Sequence, residues 1–129
     1  MQTVFSHAQS HPLTIVQLST QRGFHGGEEQ TRLLCEGLRK KGHRVIIFAR
    51  EGGMFAQRMR SHAFEVHTLP GRGLKSIWTL RRALKKLKPD ILHAQDSHAF
   101  TLAGLASLGL HSTLKITAKR ESYPLKSLW

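Results

Sequence analysis

Gly42-His43-Arg44-Val45-Ile46-Ile47-Phe48-Ala49 runs from a glycine stop into five consecutive apolar residues. A strand with one wet face alternates apolar and polar side chains, whereas an unbroken apolar run predicts a strand buried on both faces, as in a parallel sheet covered by helices. The flanks agree. Upstream, Gly27 to Lys41 sets Leu33, Leu34 and Leu38 at helical spacing, with Glu28 and Glu29 in the first turn and Arg39, Lys40 and Lys41 in the last. That charge order suits the helix dipole, and Gly42 suits the left-handed position after a helix. Downstream, Gly52-Gly53 precedes a short helix over Met54–His62, and Phe64–Leu69 alternates before stopping at Pro70-Gly71. The pattern extends both ways. Leu13–Leu18 reads as a strand and Leu74–Lys88 as a helix ended by Pro89. Asp90–Ala94 reads as a strand, Thr101–Leu110 as a helix and Leu114–Thr117 as a fifth strand. Strands alternating with helices at this spacing predict an α/β fold of βαβ units, a Rossmann-like parallel sheet with helices on both faces.

The chain has 129 residues, 40% of them hydrophobic, which is enough for one core and too short for two full domains. Residues 1–12 lack periodicity and read as a loose tail, without the apolar core and small-residue cleavage site of a signal peptide. Cys35 is the only cysteine, so no internal disulfide can form, a Cys-rich zinc site is excluded, and a reducing, cytoplasmic setting is expected. The apolar runs are far shorter than the roughly 20 residues needed to span a bilayer. Twenty Lys and Arg against eight Asp and Glu give a net charge of +12, a field that favours anionic partners.

In an open α/β sheet, ligands bind beyond the carboxyl ends of the strands. Three loops lie there. The first, Ser19 to Glu28, contains Arg22, His25 and the pair Gly26-Gly27, where backbone N–H groups can approach a phosphate or hydroxyl. Its spacing is neither the dinucleotide nor the P-loop pattern, and Glu28 and Glu29 weigh against a simple anion hole. A flexible connector is the alternative. The second, His93-Ala94-Gln95-Asp96-Ser97-His98, can polarise a hydroxyl or carry a proton, while Asp96 or Ser97 can instead cap the next helix. Its spacing matches no metal motif, so no metal is expected. The third holds Lys119 and Arg120, which suit a phosphate or an ordinary surface charge pair.

Taken together, Leu18-Ser19-Thr20 through His25-Gly26-Gly27-Glu28-Glu29-Gln30, then Gly42-His43-Arg44-Val45, then Lys88-Pro89-Asp90-Ile91-Leu92-His93-Ala94-Gln95-Asp96-Ser97-His98-Ala99 resemble the amino-terminal domain of family 4 glycosyltransferases. The G-G-E-E-Q form and the D-S-H loop look most like bacterial cell-envelope members, such as lipopolysaccharide-type transferases. The resemblance implies a GT-B fold of two Rossmann-like domains and transfer, with retention, from a nucleotide sugar to a glycan or glycolipid acceptor. It implies that Gly26 and Gly27 approach the donor phosphates and that His93 to His98 line the acceptor side. Gln95 stands where many members have a second histidine, and Lys119 and Arg120 stand where many have a histidine near the transferred sugar. His98, Lys119 and Arg120 are therefore the catalytic candidates, and Arg22, His25, Gly26, Gly27, Gln95, Asp96, Ser97 and His98 the binding candidates. Residues 13–129 correspond to an incomplete amino-terminal domain without the carboxy-terminal, donor-binding one. The expectation is a chain inactive alone, with no tightly bound cofactor, whose nucleotide-sugar donor arrives with a second domain in cis or trans.

Residues 72–88 contain Arg72, Lys75, Arg81, Arg82, Lys85, Lys86 and Lys88 and no acid, so this helix dominates the field. At 100° per residue, Ile77, Leu80, Ala83, Leu84 and Leu87 form the face assigned to the sheet. Leu74 and Trp78 fall among Lys75, Arg82, Lys85 and Lys86, a pattern that fits contact with an anionic membrane surface at the inner face of the cytoplasmic membrane. A solvated charged face is the ordinary alternative. Nucleic acid is disfavoured, because no helix-turn-helix, aromatic sheet motif or zinc finger accompanies the charge. From a different functional class, a non-catalytic basic α/β module that binds anionic lipid or nucleic acid fits the same composition.

Overall fold

The computed structural model describes residues 11–24, 26–71 and 73–110 and the backbone of 114–117. The elements, in order, are β1 (Thr14–Ser19), α1 (Gly26–Lys40), β2 (Arg44–Arg50), α2 (Met54–Ser61), β3 (Glu65–Leu69), α3 (Leu74–Leu87), β4 (Ile91–Ala94), α4 (Ser97–Ala106) and β5 (Leu114–Thr117). All pairings are parallel, in the order β3-β2-β1-β4-β5. The chain winds outward from β1 to β3, then crosses back to β4 and β5, so a topological switch lies between β1 and β4.

β2 is buried from Val45 to Ala49 because helices cover both faces. Val45, Ile47 and Ala49 meet Cys35 of α1 and Phe55, Ala56 and Met59 of α2. Ile46 and Phe48 face the opposite way, with Val16, Leu18 and Leu92, against Leu80 and Leu84 of α3 and Leu102 and Ala106 of α4. Burying a side chain of this size contributes about 1.5–3 kcal/mol. The expected sheet-facing stripe of α3 is present: Leu80 and Leu84 are buried, and Ile77, Ala83 and Leu87 pack beside them.

The buried face of α1 goes beyond its leucine spacing, and two expectations, on α4 and Asp90, need correction. Leu33 and Leu34 of α1 are exposed, and the buried stripe is Thr31 and Cys35, with Leu38 partly buried beside them. Small side chains at positions 31 and 35 face the sheet, leaving Leu33 on the far side and Leu34 at the rim. α4 begins at Ser97 rather than Thr101, because Asp96 caps it, and it ends at Ala106 rather than Leu110. There the Arg81 guanidinium of α3 donates to the carbonyls of Ala106 (3.2 Å) and Leu108 (2.6 Å), satisfying acceptors that a helix end leaves open. Asp90 does not join β4. Its carboxylate accepts from the Thr14 backbone N–H at 2.8 Å and aligns the start of β1. Elsewhere the boundaries move by one residue, and Gly42 adopts the positive φ of 92° expected after α1. Of the expected loose tail, residues 1–10 lie outside the described residues.

Candidate functional site

At the switch point, the ends of β1 and β4 are fastened together. The Gln95 N–H donates to the Leu18 carbonyl at 2.9 Å, extending the β1–β4 ladder by one bond. The Asp96 carboxylate then accepts from the Thr20 N–H (3.0 Å), the Thr20 hydroxyl (2.6 Å) and the Ala99 N–H (2.8 Å). One buried carboxylate thus caps α4 and fixes the start of the β1–α1 loop.

Behind it lies a buried polar cluster. The Gln95 amide oxygen accepts from Thr31 Oγ1 at 3.1 Å, and its Nε2 donates to Gln17 Oε1 and to His93 Nδ1, the latter at 3.2 Å. Accepting at Nδ1 places the proton of a neutral His93 on Nε2. Thr31 Oγ1 also lies 3.0 Å from the Gly27 carbonyl, so the cluster reaches the first turn of α1. Gln95, a binding candidate from the sequence, is buried and braces these elements internally.

The β1–α1 loop is anchored along its length. The Arg22 carbonyl accepts from the Met54 N–H at 2.8 Å, and a Cβ on Gly53 would lie 3.2 Å from the Arg50 carbonyl and 3.4 Å from that of Arg22. The loop therefore rests on a residue without a side chain. Phe24 stacks on Phe55 at 6.2 Å between ring centroids, under the Arg58 guanidinium. These contacts tie the described part of the loop to α2.

Beyond them opens a cleft of about 810 Å³ lined by Thr20, Gln21, Arg22, Gly23, Arg50 and His98. Arg22 and His98 were expected here. Arg50 was not, although its place directly after the buried run of β2 puts it at the carboxyl edge where sites form. Gln17 and Thr31 were also missed; a glutamine inside an apolar strand is the signal for the first. Gly26 and Gly27 open α1, and a Cβ on either would meet nothing within 4 Å. Ser97 is the first, exposed residue of α4. His25, Lys119 and Arg120 lie outside the described residues. Among the described residues, no group of three His, Cys, Asp or Glu side chains converges as metal ligands would.

From the second turn of α1, Arg32 forks back onto Glu29 of the first (Nε to Oε2, 3.0 Å) and also reaches Glu36 at 2.8 Å. The hydrogen bond from Arg32 holds the Glu29 carboxyl below its ordinary value of 4.5. Its contribution to stability is present above that value and is lost as pH falls through the depressed one. Pairing with Arg32 also weakens the objection that an acidic first turn repels anions. Arg32→Ala should raise the Glu29 midpoint towards 4.5 in an NMR titration of the carboxyl carbon.

The model of Glycosyltransferase Family 4 matches residues 24–118, most of the chain. The chain belongs to that family. Solved structures share the fold of this family 4 chain. MurG from Acinetobacter baumannii superposes with a TM-score of 0.73 at 17% identity, over 88% of this chain and 36% of its own. A glycosyltransferase from Rickettsia africae gives 0.65 at 20% identity, over 83% and 29%. HepE from Anabaena, solved in complex with UDP-glucose, gives 0.67 at 13% identity, over 81% and 28%. The shared architecture is the Rossmann-like domain of GT-B glycosyltransferases, and the family 4 chain spans about a third of the length of these structures. A search of curated proteins finds no match. Among the described residues, no helix is long and apolar enough to cross a membrane.

Proposed function

We infer that the chain is the acceptor-side half of a retaining, metal-independent glycosyltransferase that transfers a sugar from a nucleotide donor, held by a second GT-B domain, to a lipid-linked cell-envelope acceptor. The observation that carries this reading is the cleft at the β1–β4 switch, together with a glycine pair at the start of α1 where a Cβ would meet nothing within 4 Å. In this reading the first-turn N–H groups at Gly26 and Gly27 approach the donor phosphates as the two domains meet. Arg22, Arg50 and His98 face the acceptor, and His98, Lys119 and Arg120 are the candidates for stabilising charge during transfer. HepE, which shares the fold, has been solved with UDP-glucose, which supports a nucleotide sugar as donor.

Supplying a donor-binding domain in cis or trans should give sugar transfer from a nucleotide sugar. No transfer with any nucleotide sugar would reject the reading and favour a non-catalytic basic module.

The exterior of α3 supports a membrane partner. Leu74 is 73% and Trp78 56% exposed, and both line a shallow groove with Lys75, Thr79 and Arg82, while Lys85 and Lys86 extend the cationic face. A lysine or arginine near an anionic surface contributes about 1 kcal/mol. The double variant Trp78→Ala, Arg82→Glu should therefore weaken binding to phosphatidylglycerol vesicles roughly thirtyfold or more, with the far-UV spectrum unchanged. Equal binding by both proteins, or binding to nucleic acid in place of vesicles, would reject this face as a membrane contact.

A further inference from the structure

Three cavities meet at one side chain. His98, in the first turn of α4, lines the open cleft with Arg22 and Arg50, a narrow throat with Leu69 and Gly71, and a trough of about 180 Å³ between α3 and α4. The linings differ in kind. The cleft presents two guanidinium groups, the Thr20 hydroxyl and the Gln21 amide, with no carboxylate among its described lining residues. The carboxylate behind it, on Asp96, is buried and engaged by Thr20 and Ala99. Besides His98, the trough is lined by Gly71, Gly73, Ser76, Ile77, Thr101, Leu102 and Leu105; the Ser76 and Thr101 hydroxyls donate to the Gly71 and Ser97 carbonyls, and Leu105 is 46% exposed.

A cationic cleft and a largely apolar trough that share His98 as a wall match a molecule with an anionic head and a hydrocarbon tail. A soluble phosphorylated sugar would use only the cleft, and a neutral lipid only the trough. We propose that this site binds a phosphate-bearing amphiphile, its phosphate between Arg22 and Arg50, its head–tail junction at His98 and its hydrocarbon in the α3–α4 trough. Guanidinium groups suit the head because they bind phosphate oxygens in pairs. The tail has an exit. Gly73 and Ile77 line the trough while Leu74 and Trp78 lie on the outer side of the same helix, so hydrocarbon leaving the trough emerges beside the proposed membrane face. The proposal rests on the acceptor-side reading only in naming the amphiphile as acceptor; the binding itself does not depend on it.

The test uses the full chain and decyl phosphate below its micelle-forming concentration, with inorganic phosphate and decyl maltoside as the separated head and tail. Binding is followed by backbone amide shifts. Decyl phosphate should bind at least tenfold more tightly than either control and shift the amides of Thr20, Arg22 and Arg50 together with Leu102 and Leu105. Arg22→Ala and Arg50→Ala should each weaken it roughly tenfold to a hundredfold. Leu105→Asp should weaken decyl phosphate and leave inorganic phosphate unchanged. If an arginine variant fails to fold, raising the salt concentration on the unaltered chain tests the same charge, and binding of decyl phosphate should fall steeply.

Equal binding of decyl phosphate and decyl maltoside, or insensitivity to both the arginines and salt, overturns the anionic head. Equal binding of decyl phosphate and inorganic phosphate overturns the tail and leaves a site for a soluble phosphate ester. Sugar transfer without decyl phosphate binding removes this inference and keeps the acceptor-side reading. Binding without transfer does the reverse.

Discussion

Asp96→Ala should lower the stability of the chain by about 2–4 kcal/mol, the sum of a lost helix cap and stranded backbone donors. The N-cap of α4 alone is worth about 1 kcal/mol. The larger share comes from geometry, because the same carboxylate accepts from the Thr20 N–H and hydroxyl as well as from Ala99 N–H. Asp96 is only 4% exposed, so water cannot readily replace all three bonds. Against a total stability of about 5–15 kcal/mol for a domain, this is a large fraction. The melting temperature should fall by roughly 10 °C. Asp96→Asn keeps one acceptor oxygen and should lose about 1 kcal/mol. Amide exchange at Thr20 should accelerate in the alanine variant, since the loop loses its first anchor. An unchanged melting temperature in both variants would mean that Asp96 serves a ligand rather than the fold.

The double role of Asp96 marks the boundary of what the sequence discloses. Element types follow from local patterning, so the two-faced burial of β2 and the sheet-facing stripe of α3 are readable from runs and periodicity. Capping by Asp96 is local too, and was among the readings open for that loop. Its bonds to Thr20 are not, because 76 residues separate the two. Gln95 likewise meets Thr31 and Gln17 across 64 and 78 residues, and no window of sequence joins them. Periodicity marks α1 as a helix without marking its buried face: Leu33 and Leu34 carry the pattern yet are exposed, whereas the smaller Thr31 and Cys35 are buried. Arg50 was missed for a different reason. Its position was legible once β2 was assigned, but its neighbours across the cleft come from other strands and are set by topology.

Under the proposed function, Gly27→Trp should reduce sugar transfer by this chain joined to a donor-binding domain at least a hundredfold while leaving its melting temperature within a few degrees of the unaltered value, since a 1 Å misplacement of reacting groups alone costs about that much. The argument depends on glycine being unnecessary to the fold at this position. Gly27 does not have a positive φ, and a Cβ built on it meets nothing within 4 Å, so neither backbone conformation nor internal packing demands it. Within a helix, glycine costs about 0.5–1 kcal/mol relative to alanine, an effect reduced in the first turn. Gly27→Ala should therefore match or slightly exceed the unaltered stability. In that reading, a residue that brings no benefit to the isolated fold at a helix N-terminus is kept small for a donor that approaches from outside. An indole there blocks that approach, whereas a methyl group narrows it, so transfer should fall steeply from glycine through alanine to tryptophan as stability stays level. Equal transfer by all three would show that nothing comes close to Gly27 during the reaction, and the donor would have to be placed elsewhere along the cleft.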